Sequence, residues 1–207
     1  MDNPVRKYFP GITGEQADKF EALMPLYLEW NSKINVISRK DIENFTIHHL
    51  LHSLGIAMIT SFRAGTTILD AGTGGGLPGI PLAIMFPDAS FTLVDSIRKK
   101  TTVASAIASE LDLPNVNVVC GRVEDLKGKF DFVVSRAVTA FPKFAEWTLG
   151  KINKMSTNSL DNGILYLKGG DLTEELGSFI NRVKIFDLEH SFGEDFFKGK
   201  KVVYFPV

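Results

Sequence analysis

The stretch Leu69-Asp-Ala-Gly-Thr-Gly-Gly-Gly-Leu-Pro-Gly79 indicates the fold of this chain more strongly than any other. An apolar run at residues 67–70, predicted to be a short strand, leads into it, and a predicted helix at residues 78–85 follows it. Glycine adopts backbone dihedral angles that other residues avoid, and it lets a ligand approach without meeting a Cβ atom. Glycines in a turn between a strand and a helix are typical of a nucleotide-binding loop, so we expect Gly72 and Gly74 to lie at a ligand.

Strands and helices alternate through the rest of the chain. Apolar runs predict strands at residues 91–95, 116–120, 130–135 and 164–168, and helical spacing predicts helices at residues 97–111, 141–154 and 171–182. Two further strands, at residues 183–189 and 201–206, have no helix between them. Near-continuous apolar strands separated by helices indicate a parallel sheet covered on both faces. We therefore predict an α/β, Rossmann-like fold with a mostly parallel seven-stranded sheet and an antiparallel C-terminal edge hairpin.

The residues before this alternation predict helices without strands. Thr13-Gly-Glu-Gln16 has the spacing of a capping box, and an apolar stripe at helical spacing follows it to about Trp30. Pro25 lies off that stripe and is expected to kink the helix. A second helical stretch is predicted at residues 41–60. We therefore expect an N-terminal helical cap at residues 1–62 and a main domain at residues 63–207.

The composition is that of an ordinary globular protein. Of the 207 residues, 44% are hydrophobic and 23% are charged, which allows a sizeable core. The N-terminus lacks the apolar segment of a signal peptide, and no apolar run has the length that crosses a bilayer. The single cysteine, Cys120, excludes an internal disulfide and is expected to be a small buried apolar residue. These features predict a cytoplasmic protein with no membrane partner.

The charge of the chain is nearly balanced. Its formal net charge is −1 and its isoelectric point is about 6.4. General nucleic-acid-binding proteins carry an excess of basic residues. Any contact of this chain with RNA must therefore come from a local basic face.

Two kinds of adenosine-containing cofactor fit the glycine loop. The run Gly74-Gly-Gly-Leu-Pro-Gly79 matches the G-x-G-x-x-G pattern of dinucleotide-binding proteins, which leaves an NAD(P)-dependent oxidoreductase as an alternative. Asp70 argues against that class, because a carboxylate repels a pyrophosphate and suits the ammonium group of S-adenosylmethionine. Asp95 ends the next strand and suits ribose hydroxyls in both classes. Glu124, after the third strand, suits the adenine, so these residues together favour a class I S-adenosylmethionine-dependent methyltransferase.

The residues after the fourth predicted strand bear on the substrate. They read Ser135-Arg-Ala-Val138, whereas enzymes that methylate the exocyclic amine of adenine carry an Asn/Asp-Pro-Pro-aromatic tetrad there. Arg136 can offer paired donors to guanine or stack on a base, which makes it the candidate catalytic residue. A salt bridge to Glu124 or Asp131 is an equally good interpretation of the same arginine. Lys168, which ends the fifth strand, is a candidate for a substrate or phosphate contact or for a solvated strand end.

Two histidines raise the question of a metal site. His48 and His52 lie one helical turn apart, a spacing at which two imidazoles can ligate one metal ion. No third ligand accompanies them at a recognisable spacing. No metal is therefore expected, and a buried or hydrogen-bonding role is favoured for His52.

The sequence resembles the RsmG (GidB) family of methyltransferases along most of its length. The unusual string from Gly72 to Pro81 contributes most to the resemblance. The motifs that carry it are Trp30-Asn31, Asn35-Val-Ile-Ser38, His49-Leu-Leu-His-Ser-Leu54, residues 70–81, Leu93-Val-Asp-Ser-Ile-Arg-Lys99, Arg122-Val-Glu124, Ser135-Arg-Ala137 and Leu167-Lys-Gly169. The resemblance implies methylation of N7 of a guanine in the decoding-region loop of 16S ribosomal RNA. Because a weakly charged enzyme cannot rely on long-range attraction to a flexible RNA strand, we expect this RNA to be presented in the small ribosomal subunit or an assembly intermediate.

The resemblance further implies roles for individual residues. Asn35 and His49 match family positions in the helical cap and are expected to lie at the substrate. The resemblance implies contacts with the cofactor at Gly72, Leu77, Val123, Glu124 and Arg136. It also implies that Asp95 lies near the cofactor. The chain departs from the family pattern at three places. Gly75 stands where the family commonly has proline, His52 where it has aspartate, and Val36-Ile37 where it has Leu-Thr.

The chemistry of the implied substrate bears on the mechanism. Guanine N7 carries an in-plane lone pair and no hydrogen, so methyl transfer to it requires no general base. We expect the enzyme to contribute alignment of the reactants in a water-poor site. The nearly neutral chain leaves a methyltransferase acting on a small molecule as the alternative, and such an enzyme is active without ribosomal material.

Overall fold

The computed structural model describes residues 3–136 and 138–207, and these residues form one seven-stranded sheet. The strands in chain order are β1 (Thr67–Ala71), β2 (Ser90–Asp95), β3 (Val116–Cys120), β4 (Phe132–Arg136), β5 (Gly163–Gly169), β6 (Lys184–Asp187) and β7 (Lys200–Pro206). They lie in the order β3-β2-β1-β4-β5-β7-β6. The pairs among β1 to β5 are parallel, and β7 pairs antiparallel with both β5 and β6. The predicted α/β fold with an antiparallel C-terminal edge is confirmed.

The central strands are buried along nearly their whole length. Four of the five residues of β1 and of β4 are buried, as are the first five residues of β5. Such strands are covered on both faces by helices, which explains why their sequences are continuous apolar runs. The strand order reverses between β1 and β4, and the crevice at the carboxyl ends of the strands at such a point is the usual ligand site of open α/β sheets.

Helices flank the sheet and form the N-terminal segment. The α-helices are α1 (Pro4–Tyr8), α2 (Gly14–Lys33), α3 (His52–Leu54), α4 (Gly79–Met85), α5 (Arg98–Glu110), α6 (Phe141–Thr148) and α7 (Thr173–Leu176). The predicted capping box begins α2, where Thr13 Oγ1 accepts from the Gln16 N–H and the Gln16 side chain accepts from the Thr13 N–H. Gln16 Nε2 also donates to the carbonyl oxygens of Ile84 and Met85 at 2.9 and 3.0 Å. The same glutamine therefore starts α2 and fastens it to α4.

The helical segments of the chain differ from prediction in their form. Residues 41–60 are no regular α-helix: a 3-10 turn, Ile42–Asn44, leads into a π-helical segment, Phe45–Leu51, and α3 ends after three residues. Phe45 and Leu50 are both buried five residues apart, the spacing of π-helical hydrogen bonds. The predicted helix at residues 171–182 is split at Gly177, whose φ of +49° is incompatible with a continuous helix. Pro25 lies inside α2, which runs without interruption from Gly14 to Lys33, and the kink expected there stays a prediction.

Two other boundaries and the burial of one residue also differ from prediction. The predicted helix at residues 141–154 ends at Thr148 and continues as a 3-10 turn, Leu149–Lys151. The fourth strand begins at Phe132, two residues later than predicted, because Phe130 forms an isolated bridge with Ile152. Cys120 is exposed, so the prediction of a buried residue is wrong. It ends β3, an edge strand with one neighbour, and apolar edge strands are not necessarily covered on both faces.

The N-terminal helices share a core with the sheet domain. One cluster of buried apolar side chains joins residues of α1 and α2, such as Val5, Phe20 and Tyr27, to Leu82 and Phe91. The division into residues 1–62 and 63–207 stays a prediction. No helix within the described ranges combines the length and the apolar character that crossing a membrane requires.

Candidate active site

A cavity of about 440 Å³ opens at the carboxyl ends of β1 to β4, where the strand order reverses. Small-molecule sites in proteins have volumes of about 300–1,000 Å³. The loops that follow the four strands supply most of the wall, together with α6 and the N-terminal segment. The lining residues are Val36, Ala71, Gly72, Thr73, Gly74, Gly75, Leu77, Val94, Asp95, Ser96, Ile97, Lys100, Gly121, Arg122, Val123, Glu124, Arg136, Val138, Phe144 and Trp147. The structure therefore brings six of the predicted cofactor residues besides Arg136 to one cavity.

The glycine loop forms the wall of this cavity after β1. Gly72 has a φ of +73° and Gly74 a φ of +59°, a region that side-chain-bearing residues rarely adopt. A Cβ atom on Gly72 would lie 2.5 Å from Val138 Cγ2, so glycine is also required there by contact. The N–H groups of Gly72 and Thr73 both donate to the carbonyl oxygen of Val94, at 2.8 and 2.9 Å. The loop is thus held against the end of β2.

Asp95 connects the glycine loop with the loop after β2. Its Oδ2 accepts from the N–H of Gly74 at 2.9 Å, and its Oδ1 accepts from the N–H of Ile97 at 2.9 Å. Each carboxylate oxygen has a second lone pair, and the residue lines the cavity. Asp95 can therefore still accept hydrogen bonds from two ligand hydroxyls while it orients both loops.

Asp70 lies beneath the glycine loop and does not line the cavity. Its carboxyl group is fully buried, and Oδ2 accepts from Thr73 Oγ1 at 2.6 Å and from the Gly79 N–H at 2.8 Å. Oδ1 has no hydrogen-bond partner among the described residues. Burial raises the pKa of Asp70 to about 7. The sequence expectation that Asp70 contacts the methionyl ammonium group stays a prediction, and the contacts present make Asp70 a support of the loop.

Two residues of α2 that sequence reasoning did not select shape the same cavity. Tyr27 Oη donates to the carbonyl oxygen of Gly75 at 2.9 Å, and burial raises the pKa of this phenol, which keeps it neutral. The buried Asn31 side chain accepts from the N–H groups of Val36 and Ile37, at 2.8 and 2.9 Å, and donates to the Ile37 carbonyl oxygen. These bonds hold Val36 in the cavity wall. The family motif Trp30-Asn31 was the available signal.

Arg136 ends β4 and lines the cavity, but its partners are not the predicted ones. No salt bridge joins it to Glu124, Asp131 or any other acid within residues 3–136 and 138–207, so that alternative is wrong. Instead, Nη1 donates to His49 Nδ1 at 3.0 Å and to the His48 carbonyl oxygen at 3.3 Å. The backbone of Arg136 belongs to the sheet, whereas its side chain is hydrogen-bonded to the N-terminal segment.

His49 stands between Arg136 and Asp41. Its Nε2 lies 2.8 Å from Asp41 Oδ2, while His48 Nδ1 lies 2.6 Å from Asp41 Oδ1. Burial and the positive charge of Arg136 lower the pKa of His49 to about 4, so its imidazole is neutral. His49 is not among the residues that line the cavity, and its expected contact with the substrate stays a prediction.

The remaining predicted residues lie away from the cavity or are occupied. Asn35 is exposed beside Val36 and does not line the cavity. Lys168 Nζ donates to the Thr139 carbonyl oxygen at 2.8 Å and pairs with Glu175 Oε1 at 2.7 Å. With 12% of its side chain exposed, Lys168 is not a solvated strand end. The substrate role of both residues stays a prediction.

His48 and His52 both pack against aromatic side chains. The His48 ring stacks on Phe196 with 3.9 Å between centroids, and His52 is buried against Phe196 and Phe197. Burial lowers the pKa of His52 to about 3, so it is neutral. Within the described parts of the chain, no group of three His, Cys, Asp or Glu side chains could hold a metal ion.

Comparison with known proteins adds to this geometry. The sequence model of the family described as rRNA small subunit methyltransferase G matches residues 16–202, which include every residue of the cavity wall. The chain belongs to this family. Two relatives are named Ribosomal RNA small subunit methyltransferase G. The one from Christiangramia forsetii is 54% identical over 203 residues (98% of this chain, 96% of that protein), and one from Bacteroides fragilis (strain ATCC 25285) is 52% identical over 201 residues (97% and 98%).

Solved structures share the fold of this chain. A SAM dependent methyltransferase from Aquifex aeolicus has a TM-score of 0.55 at 17% identity, covering 74% of this chain and 88% of that one. A mutant of MtNAS in complex with S-adenosylmethionine has a TM-score of 0.57 at 15% identity, covering 92% and 76%. At these identities the likeness shows the fold alone. Membership in the methyltransferase G family confirms the resemblance predicted from the sequence and removes the oxidoreductase alternative.

Proposed function

We propose that this protein transfers a methyl group from S-adenosylmethionine to N7 of a guanine in the decoding-region loop of 16S ribosomal RNA. The observation that carries the proposal is the family match over residues 16–202, which spans the whole cavity wall. The family acts on RNA of the small ribosomal subunit, as its description states. The guanine and its N7 atom follow from the resemblance of the motifs quoted above.

The cavity offers groups of the right chemistry for S-adenosylmethionine, which supplies an electrophilic methyl group on a positively charged sulfur. Asp95, at the end of β2, would accept from the ribose hydroxyls. Apolar and aromatic surfaces of Ile97, Val123, Phe144 and Trp147 would hold the adenine ring. The glycine loop, with no Cβ atoms at Gly72, Gly74 and Gly75, leaves room for the methionyl end.

The protein needs no general base for this reaction. Guanine N7 offers its lone pair in the ring plane and carries no proton. The residues of the cavity must therefore hold the base in line with the transferred methyl group and keep water out. No proton is transferred in the methylation step. We therefore expect no residue whose removal abolishes activity through the loss of acid–base catalysis.

Arg136 suits the carbonyl edge of guanine. A free arginine commonly donates to both O6 and N7 of guanine, but here N7 must stay free to attack. Nη1 of Arg136 is already engaged with His49 and the His48 carbonyl oxygen, which leaves Nε and Nη2 as donors without a partner among the described residues. We therefore assign Arg136 to guanine O6, as a hydrogen-bonding clamp.

The charge of the chain bears on how the RNA is presented. A net charge of −1 gives little long-range attraction to a flexible RNA strand. Lys100 and Arg122 line the cavity and can contact phosphates near the target base. We propose that the substrate is the small ribosomal subunit or an assembly intermediate in the cytoplasm, where the shape of the particle supplies further contacts.

The proposal is tested by methyl transfer from labelled S-adenosylmethionine. Small-subunit particles from cells that lack this enzyme, naked 16S RNA and a ribosome-free extract are each incubated with the protein, and the modified base is mapped. We expect label at one guanine N7 in the decoding-region loop of the particles. Label only in the small-molecule fraction would identify a small-molecule methyltransferase, and failure to bind S-adenosylmethionine in calorimetry would overturn both.

A further inference from the structure

Arg136 is partly buried at the cavity wall, and a neutral imidazole anchors it in the place where an arginine usually pairs with a carboxylate. Its guanidinium makes no ion pair within the described ranges, and its side-chain bond runs to His49 Nδ1 at 3.0 Å. Arginine has donors and no acceptor, so Nδ1 must accept with its lone pair. The proton of the imidazole therefore resides on Nε2.

Asp41 fixes this tautomer of His49. The Nε2–H donates to Asp41 Oδ2 at 2.8 Å, while the second oxygen of the same carboxylate lies 2.6 Å from His48 Nδ1. Burial raises the pKa of Asp41, but the hydrogen bonds from the two histidines outweigh it and hold the pKa below its ordinary value. An ionised carboxylate that only accepts selects the Nε2–H form of His49.

The local backbone is built for this arrangement. His48 and His49 are consecutive, and both lie in the π-helical segment Phe45–Leu51. π-Helical turns inside proteins are uncommon and occur often at functional sites. Here the segment points two neighbouring imidazoles at one carboxylate and the His48 carbonyl oxygen at Arg136 Nη1, at 3.3 Å. The His49 side chain is 12% exposed, so water competes little for these bonds.

We propose that His49 and Asp41 are positioning residues for Arg136, which hold its guanidinium at the cavity wall through a neutral imidazole of fixed tautomer. The proposal rests on the role of Arg136 in the proposed function. His49 acts through the arginine and need not touch the RNA or the cofactor. An acid in the place of His49 would pair with the arginine more strongly, but it would neutralise the charge that the clamp on guanine O6 uses.

A double-mutant cycle separates positioning from general support of the fold. His49→Phe keeps the ring and removes both nitrogens, and we expect it to lower the single-turnover rate of methyl transfer to small subunits about 10- to 100-fold. In an Arg136→Ala background the same change is expected to have no further effect on the rate, because the residue that it positions is gone. Additive losses in the double variant would overturn the proposal.

A conservative variant of His49 and a matched control variant complete the double-mutant cycle. His49→Asn places an amide oxygen near the position of Nδ1, so we expect it to recover part of the rate that His49→Phe loses. The matched control is His52→Leu, just beyond the π-helical segment, whose Nε2 has no partner among the described residues. We expect this variant to keep the wild-type rate. Equal loss in His49→Phe and His52→Leu would mean that any change in this segment disturbs the enzyme, and it would overturn the specific role of His49.

A measurement that is independent of activity distinguishes this proposal from the proposed function. In protein labelled with ¹⁵N-histidine, the His49 resonances are expected to show a protonated Nε2 and an unprotonated Nδ1 at neutral pH. Arg136→Ala is expected to shift Nδ1 alone. A charged His49, or one protonated at Nδ1, would overturn the positioning role even if the enzyme methylates 16S RNA. If the wild-type enzyme methylates no RNA while the resonances are as expected, the proposed function fails and the arrangement of Arg136 stands.

Discussion

The Tyr27 hydroxyl donates a hydrogen bond to the carbonyl oxygen of Gly75 at 2.9 Å, in a fully buried position. Tyr27 belongs to α2 and Gly75 to the loop after β1, so this bond joins the N-terminal segment to the cavity wall. A buried carbonyl group that loses its partner costs about 1–3 kcal/mol. Helix α2 therefore supports the cavity wall through Gly75, although it contributes no lining residue of its own.

Removal of this hydroxyl is expected to weaken the cofactor site. Tyr27→Phe should lower the free energy of unfolding in urea by about 1–3 kcal/mol and lower the affinity for S-adenosylmethionine in calorimetry. The matched control is Tyr204→Phe, because Tyr204 Oη donates to the Asp161 carbonyl oxygen at 2.7 Å and neither residue lines the cavity. We expect the control to lose stability and keep its affinity. Equal affinity in both variants would contradict the link between α2 and the loop.

A methyl group at Gly72 is expected to close part of the cavity. The Cβ atom of Gly72→Ala would lie 2.5 Å from Val138 Cγ2, in addition to the cost of a positive φ. The matched control is Gly65→Ala, with a φ of +80° and no atom within 4 Å of the new Cβ. We expect about 1 kcal/mol of destabilisation in the control and a larger loss, with weaker cofactor binding, at Gly72. Adding Val138→Ala to Gly72→Ala should restore part of the affinity for the cofactor. If it does not, the contact between the new Cβ atom and Val138 is not the cause of the weaker binding.

Lys168 is expected to stabilise the fold by holding the loop after β4. Its amine is engaged by the Thr139 carbonyl oxygen and Glu175, so Lys168→Met removes the cation beside the half-buried Glu175 carboxylate, which still accepts from the Phe141 N–H at 2.9 Å. We expect a loss of about 1–3 kcal/mol in urea unfolding and an unchanged KM for small subunits. The control Lys198→Met breaks a solvent-exposed pair with Asp195 and should leave the stability nearly unchanged, because water screens such pairs. A raised KM with unchanged stability in Lys168→Met would favour the substrate contact expected from the sequence.

The ionisation of Asp70 is expected to make the stability depend on pH. Burial raises its folded-state pKa to about 7, against 3.8 as the ordinary value, so the folded protein binds the proton more tightly. The stabilising contribution of the protonated form is complete below about pH 4 and is lost as the pH rises through about 7, with a slope of at most about 1.4 kcal/mol per pH unit. Asp70→Asn does not titrate. The variant should therefore gain stability relative to the wild type as the pH rises from about 4 to about 7 in urea unfolding, and a constant difference would contradict the buried proton.

Local sequence signals predicted most of the fold. The strands β1, β2, β3 and β5 are short apolar runs bounded by turn residues, and the glycine loop follows a strand directly, so each is encoded within about ten residues. The capping box of α2 is equally local. Where the pattern was less regular the prediction was wrong. Residues 41–60 have apolar spacing near that of a helix, but tertiary contacts select a π-helical segment there.

The sequence predicted the cavity better than the partners of its side chains. The strand ends at Gly72, Asp95, Glu124 and Arg136 had to converge once the strands were parallel, because parallel strands place their carboxyl ends at one edge of a sheet. The partner of Arg136 could not be found in this way. His49 lies 87 residues earlier in the chain, and no local spacing relates the two.

The α/β class, the nucleotide loop and the family could all be inferred from the amino-acid sequence, since each depends on residues that are neighbours in the chain. Three other facts required the folded molecule: Asp70 lies beneath the loop and not at the cavity wall, Tyr27 holds Gly75, and a neutral histidine anchors Arg136. They depend on burial and on contacts between distant segments. The sequence around an aspartate next to a glycine loop is the same whether its carboxyl group faces a ligand or the core. The packing of the folded chain decides which of the two it faces.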